Sequence, residues 1–431
     1  MTSTSDALEV RPTREEFKRL ASSHTVVPVW VELLADLETP VAAFAKLVGD
    51  EEGFLLESVE HGERWSRFSF VGRRPRATLT LIDGALTVHG EIPASVPTDR
   101  GMLAAIEGLL LEYRSPVIAD LPPLQGGVMG FLGYDVVREV ENLPNVPRDD
   151  RGLPDAVMSV IGSLAAFDHW RQRVYLIESV PVLGLDDTRL DAEYDAAVAR
   201  ARSAVDDLAR PLSYTPVEPP SRDDVLPSVR SSMPDGAYQR AVEVAKEHIR
   251  AGDIFQVVLS QRYEIQLEAE PFDMYRVLRQ VNPSPYMYFL RQRGVTIVGS
   301  SPEPMVQLLG GKVISRPIAG TRKRGTNDEH DRRLAAELRE NPKEVAEHVM
   351  LVDLARNDVG RVASFGSVHV DELMTLERYS HVMHLTSQVS GDLLPERGAI
   401  DVLRATLPAG TVSGAPKVRA MEIIDDLEPV K

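Results

Sequence analysis

Apolar runs of strand length follow one another in this chain with little more than turns between them, and that arrangement narrows its possible folds more than any other feature. Residues 53–56, 77–82 and 172–177 read as strands, while helical periodicity is confined to stretches such as 102–113 and 186–208. Regular strand–helix alternation is missing. The expected class is therefore α+β, with antiparallel or mixed sheets and helices packed outside. No Walker-type phosphate loop occurs and no GxGxxG opens a helix. The glycine-rich stretch 126–134, GGVMGFLGY, lacks the lysine and hydroxyl of a phosphate loop, so it reads as a strand with close backbone packing.

A length of 431 residues allows two or three domains, and the clearest seam is 210–234, where proline and polar residues crowd and apolar periodicity vanishes. The expected order is a tail over 1–25, a first domain over 26–210, a linker over 211–233 and a second domain over 234–431. The second domain is expected to open with a helix over 235–251, whose stripe is Tyr238, Val242, Ala245 and Ile249 and whose stop is Gly252. A strand over 254–263 follows. A net charge of −17 argues against a protein that holds nucleic acid through its general field. There is no apolar stretch long enough to span a membrane, no signal peptide pattern, and no cysteine. A cytoplasmic protein is the default expectation.

The richest chemistry lies in 341–358, NPKEVAEHVMLVDLARND. Helical spacing puts Glu344, Glu347 and His348 on one face. Asn341 suits the N-cap and Pro342 the first helical position, and Glu344 falls where a capping-box acid reaches back. Glu347 has no such duty. Two acids so close repel unless a cation or proton intervenes, and oxygen ligands without cysteine favour Mg²⁺ over zinc. The residues alone leave both a metal ligand and a solvated acidic face open.

Elsewhere, polar residues stand where a buried strand should be apolar. In 380–390, SHVMHLTSQVS, alternation groups His384, Thr386 and Gln388 on one face, with His381, Met383, Leu385 and Val389 on the other, which makes His384 the better acid–base candidate. The same alternation aligns Gln256, Ser260 and Arg262. Glu303 ends the apolar run VTIVGSSPE, where a turn can aim a carboxyl into a cleft or into solvent. In 408–417, PAGTVSGAPK, Thr411 and Gly414 precede a helix that can start at Pro416, so amides there can hold a carboxylate or phosphate.

Taken together, NPKEVAEHVMLVDLARND, RPIAGTRKRG at 316–325, ERYSHVMH at 377–384 and PAGTVSGAPK resemble the chorismate-utilising enzymes, and within them anthranilate synthase component I. LLES at 55–58 and NPSPYM at 282–287 resemble the two pieces of that family's tryptophan feedback site. The resemblance runs from about residue 26 to the end. It implies the anthranilate synthase-like fold and a tryptophan-regulated first domain. It also implies the aminase reaction, in which chorismate and ammonia give anthranilate and pyruvate, with ammonia supplied by a glutamine amidotransferase subunit. By resemblance, Glu347 ligates Mg²⁺ with Glu344 in the outer shell, Glu303 is the general acid, and His384 assists pyruvate loss. Thr321, Thr411 and Gly414 line the substrate. Glu57, Ser58, Pro285, Tyr286 and Met287 would bind tryptophan.

Two positions separate the resemblance from its siblings. Gln256 stands where the water-using members carry a lysine, and Ala319 stands where aminodeoxychorismate synthases, the alternative within the family, carry a nucleophilic one. The family pattern also continues beyond residue 431 to a helix supplying a second metal-ligating glutamate. With only the glutamates of these 431 residues, the chain is expected to hold Mg²⁺ weakly, and a non-catalytic remnant that binds tryptophan or a partner is the alternative from another class.

Overall fold

A computed structural model describes residues 8–59, 67–214, 216–221, 223–225, 227–379 and 382–431. The chain forms two compact units, each assembled from separated segments: 1–133, 153–222 and 269–302 in the first, and 134–152, 223–268 and 303–431 in the second. The expected division at a 211–233 linker is linear, whereas the observed units are interleaved. The cause is strand pairing: Tyr286–Gln292 joins Gly53–Glu57, with Met287 opposite Glu57.

The first unit is built on an eight-stranded antiparallel sheet. Its order is Val10–Arg11, Val26–Leu34, Arg173–Pro181, Ser163–Asp168, Phe68–Arg73, Gly53–Glu57, Tyr286–Gln292 and Val295–Ser301. Side chains alternate between its faces. Leu55, Val71, Phe167 and Phe289 pack against Phe44 and Leu47 of helix Pro40–Leu47, Ala201 of helix Asp187–Ala209 and Tyr275 of helix Pro271–Val281. Phe54, Leu164, Tyr175 and Leu290 form a second core on the opposite face. A four-stranded sheet, Ala85–Gly90, Ala77–Ile82, Ala156–Val160 and Val128–Leu132, completes the unit. The last of these strands comes from the glycine-rich stretch, and a Cβ on its Gly130 would lie 1.9 Å from the Val157 carbonyl oxygen. Residues inside the expected tail are folded: helix Arg14–Ala21 is capped by Thr13 and buries Phe17 completely.

In the second unit, strand Val382–Asp392 is the centre. It pairs with His369–Arg378, with Lys312–Ser315 and with Ile318–Lys323, and Gln307–Leu309 extends the sheet. Helices Asp328–Glu340 and Pro342–Gly360 meet at Asn341, which ends one and caps the other. Val352, Ala355 and Val359 of the second helix pack with Val313 and Val389 of the sheet. Helix Ala237–Ala251 ends at Gly252 (φ 84°), but it buries Ala241 and Ala245, while Ile249 of the expected stripe is 43% exposed. The expected strand over 254–263 is broken. Gln256–Val257 pairs with Gly414–Ala415, Tyr263–Ile265 pairs with Val229–Ser231, and the Ser260 amide between them donates to the Glu428 carboxylate instead of a ladder.

Candidate functional site

Strand Ile318–Lys323 is the spine on which the predicted residues of the second unit gather. Its first amide, that of Ile318, donates to the Glu303 carboxylate. Next, the Ala319 carbonyl bonds Nδ1 of His348 at 3.1 Å, and the His348 Nε2 meets Ser387 Oγ at 2.6 Å. His348 is fully buried. It therefore locks helix to sheet and does not share an exposed face with the two glutamates. Gly320 (φ 81°) makes a bulge, and a Cβ there would stand 3.2 Å from Leu338 and 3.3 Å from Glu344 Oε2. Thr321 Oγ1 meets His384 Nδ1 at 2.9 Å, and Arg322 Nη1 donates to Glu344 Oε1 at 3.0 Å.

His384 is flanked across the sheet by Thr321 and Glu377, with the Tyr379 ring 5.5 Å away. Burial lowers its pKa, only partly offset by a hydrogen bond to the Gly320 backbone and by Glu377, so the ring is neutral near pH 7 and available as a proton acceptor. Met383, Leu385 and Val389 are fully buried opposite it, as the alternation predicts, but Thr386 on its own face is buried as well. His381 lies outside the described residues.

Glu303 is a strongly perturbed acid. Burial pushes its pKa up to about 7, against the pull of the Ile318 amide. It lines a small cavity with Leu351, Leu354, Asp358 and Thr411, and Thr411 sits in the single turn Gly410–Val412. The geometry thus brings Glu303 and Thr411 together. Along the same loop, Gly414 (φ 145°) pairs with Val257 beside Gln256, and a Cβ on it would fall 2.2 Å from the Gln256 carbonyl. The Gln256 side-chain oxygen is buried and, among the described residues, has no hydrogen-bond partner.

The acids of helix Pro342–Gly360 are used differently from one another. Asn341 caps through its side chain and Pro342 takes the first position, as the sequence implies. No capping box forms with Glu344, because the Asn341 amide is already bonded to the Glu337 carbonyl and the Glu344 carboxylate to Arg322. Glu347 is half-buried and no partner is recorded for it among the described residues. No group of three or more acid, histidine or cysteine side chains suited to a metal occurs among the described residues. As a donor set for Mg²⁺, Glu347 fits as one free carboxylate. Glu344, neutralised by a guanidinium, fits the outer shell better than direct ligation.

Sequence reasoning missed the contacts that join the motifs. Arg316 of one motif holds Glu377 of another at 2.6 Å. Lys417, buried at the start of helix Lys417–Leu427, holds Asp358 at 2.7 Å, and burial raises the Asp358 carboxyl while the lysine opposes it. Opposite charges at motif ends were the only signal available, and periodicity does not register them.

The tryptophan-site candidates lie in the first unit. Glu57 is buried, accepts from Tyr275 Oη at 2.6 Å and from Arg279 Nε and Nη2 at 3.0 and 3.1 Å, and faces Met287 across the sheet. Ser58 Oγ is buried without a partner among the described residues, and the Val59 amide bonds the Ser284 carbonyl just before Pro285 and Tyr286. The two expected pieces are adjacent. An incoming ammonium must still join or displace Arg279 at Glu57.

The family model for chorismate binding enzymes matches residues 54–431. Anthranilate synthase component 1 of Acetivibrio thermocellus is 42% identical over 424 residues, covering 97% of this chain and 85% of that protein. Its counterpart in Mycolicibacterium smegmatis is 44% identical over 432 residues, covering 99% and 82%. Among solved structures, anthranilate synthase component I from Streptococcus pneumoniae superposes with a TM-score of 0.70 at 35% identity, over 93% of this chain and 84% of that one. The menaquinone-specific isochorismate synthase MenF from Escherichia coli shares the fold alone, with a TM-score of 0.65 at 15% identity, over 97% and 83%.

Proposed function

Since this chain belongs to the chorismate binding enzyme family, we propose that it is the aminase subunit of an anthranilate synthase. It would add ammonia at C2 of chorismate, expel the C4 hydroxyl as water, and eliminate pyruvate to leave anthranilate. The observation that carries this reading is Gln256. A buried amide oxygen with an open lone pair, at the place where water-using relatives need a base, cannot deprotonate water but can accept from an N–H of ammonia. Ala319 supplies no competing nucleophile.

The remaining residues take roles suited to their environments. Glu303, protonated up to about pH 7, is positioned as the acid for the departing hydroxyl. His384, neutral and oriented by Thr321, is available for the proton released during pyruvate loss. Thr321, Thr411 and Gly414 shape the pocket. The positive charge that would offset the substrate's carboxylate at this acidic chain is what a bound Mg²⁺ would supply. Glu347 is the residue that would hold it, with Glu344 and Arg322 behind. These 431 residues contain no cysteine, so ammonia released from glutamine by a cysteine nucleophile would be made outside them, and a glutamine amidotransferase subunit is the proposed source.

Tryptophan is the proposed inhibitor, held by Glu57 and Ser58 with Pro285, Tyr286 and Met287, through a coupling between distinct sites. Two measurements test the proposal. Product analysis with chorismate, ammonium and Mg²⁺ should give anthranilate, and accumulation of isochorismate or salicylate would overturn it. Ser58→Phe should weaken tryptophan binding by calorimetry, and unchanged affinity would remove the inhibitor from this place.

A further inference from the structure

Other arginines of the first unit that are withdrawn from water are matched to carboxylates: buried Arg73 to Asp207 at 2.7 Å and half-buried Arg200 to Glu178 at 2.8 Å. Arg76 is not. Half-buried, it donates through Nε (2.7 Å) and Nη2 to a neutral acceptor, the Ser179 carbonyl, and among the described residues Nη1 has no hydrogen-bond partner. A cation removed from water without a counter-ion is disfavoured unless something anionic completes it. Burial, and then the nearby Arg200, depress its pKa; of the two acids whose charge opposes this, Glu178 is committed to Arg200 and Glu193 makes no hydrogen bond to it.

Arg76 opens on a cavity of about 270 Å³ contained within the first unit. Tyr113 stands in the same cavity, and its hydroxyl likewise has no partner among the described residues. The remaining wall is largely apolar and includes the rings of Pro28, Pro116 and Pro123. At Gly127 (φ 121°) nothing would lie within 4 Å of an added Cβ, so the backbone there leaves room for an occupant. Two polar groups converging in an apolar cleft of this size are the usual composition of a small-molecule site.

We propose that this cavity binds an aromatic monocarboxylate, its carboxylate on Arg76 Nη1 and the Tyr113 hydroxyl and its ring against the prolines. A single open guanidinium edge suits one negative charge, whereas a phosphate dianion would need a second cation, and Arg200 is taken. The proline and aliphatic walls suit a ring. The site is independent of the chorismate chemistry proposed above and of the residues assigned to tryptophan.

The test is fluorine NMR titration of the full chain with 4-fluorobenzoate, with 4-fluorobenzylamine as the cationic control. The expected result is saturable binding of the carboxylate and none of the amine. Arg76→Gln should weaken binding at least about tenfold, equivalent to ~1.4 kcal/mol, and Tyr113→Phe about threefold, on the scale of one hydrogen bond. Tyr113→Phe leaves the Arg76–Ser179 contact in place, so it reads the site even if Arg76→Gln unfolds. No saturable binding by the wild type, equal binding of the amine, or unchanged affinity in Tyr113→Phe and a folded Arg76→Gln would each overturn the assignment.

Discussion

Replacing Glu303 by glutamine should make the protein more stable and far less active, with the stability gain set by pH. The carboxyl keeps its proton to about pH 7 in the folded chain, against an ordinary value of 4.5. Below pH 4.5 both folded and unfolded states hold the proton, and the buried acid adds no penalty. As pH rises from there, the unfolded chain ionises first, so folding loses ground until the folded carboxyl also ionises near pH 7. The accumulated penalty is roughly 3 kcal/mol above that point. Glutamine keeps an oxygen for the Ile318 amide and never ionises, so Glu303→Gln should match wild type near pH 4.5 and exceed it by roughly 3 kcal/mol at pH 8. Urea titrations followed by far-ultraviolet circular dichroism would read this, since the three tryptophans, Trp30, Trp65 and Trp170, all belong to the first unit and Glu303 to the second. Turnover should fall by about 10²–10⁴-fold. Wild-type turnover should decline on the alkaline side of about pH 7, as the acid loses its proton. A stability difference that stays flat between pH 4.5 and 8 would refute the burial argument, whatever happens to activity.

Three further outcomes are expected. Gly414→Ala places a methyl 2.2 Å from the Gln256 carbonyl at φ 145° and should cost more than about 2 kcal/mol in urea titrations as well as most of the turnover; a neutral effect would mean that the pairing is not maintained in solution. His348→Phe breaks both ring contacts and should destabilise by about 2–4 kcal/mol at pH 8. Burial lowers the His348 pKa, so wild type loses this stabilisation as pH falls below 6.5 and the variant's deficit should shrink there; a constant deficit would contradict it. Glu347→Gln should raise the Mg²⁺ concentration for half-maximal turnover by about tenfold or more, and Glu344→Gln by less, because Arg322 already holds that carboxylate; the reverse order would reassign the ligand.

Local structure was legible where one side chain decides it. Gly252 past a helix, Asn341 and Pro342 before one, and the spacing of Met383, Leu385 and Val389 gave the element and one of its buried faces. The strand at 77–82 came out with its bounds unchanged. Legibility failed where the partner is remote. Nothing near Ser260 announces that its amide will be taken by Glu428, 168 residues away, so one strand was read where two short ones stand. His348 looked like part of an acidic face because helical spacing shows which residues are neighbours but not which way the helix is turned; the sheet contacts of Ala319 and Ser387 decide that. The adjacency of 55–58 and 282–287 came through family resemblance, not through periodicity, which carries no information on strand order.

That adjacency also sets a timetable for synthesis. Strand Gly53–Glu57 has one neighbour, Phe68–Arg73, almost at once, but the other arrives with Met287, 230 residues after Glu57. At 5–20 residues per second the ribosome takes roughly 10–50 s to deliver it. During that interval the open edge of a strongly apolar strand is guarded by a charge at its end, because Tyr275 and Arg279, which later bury Glu57, emerge only 218 and 222 residues after it. The same carboxylate that finishes as a buried acceptor thus begins as a solvated gatekeeper against premature strand pairing.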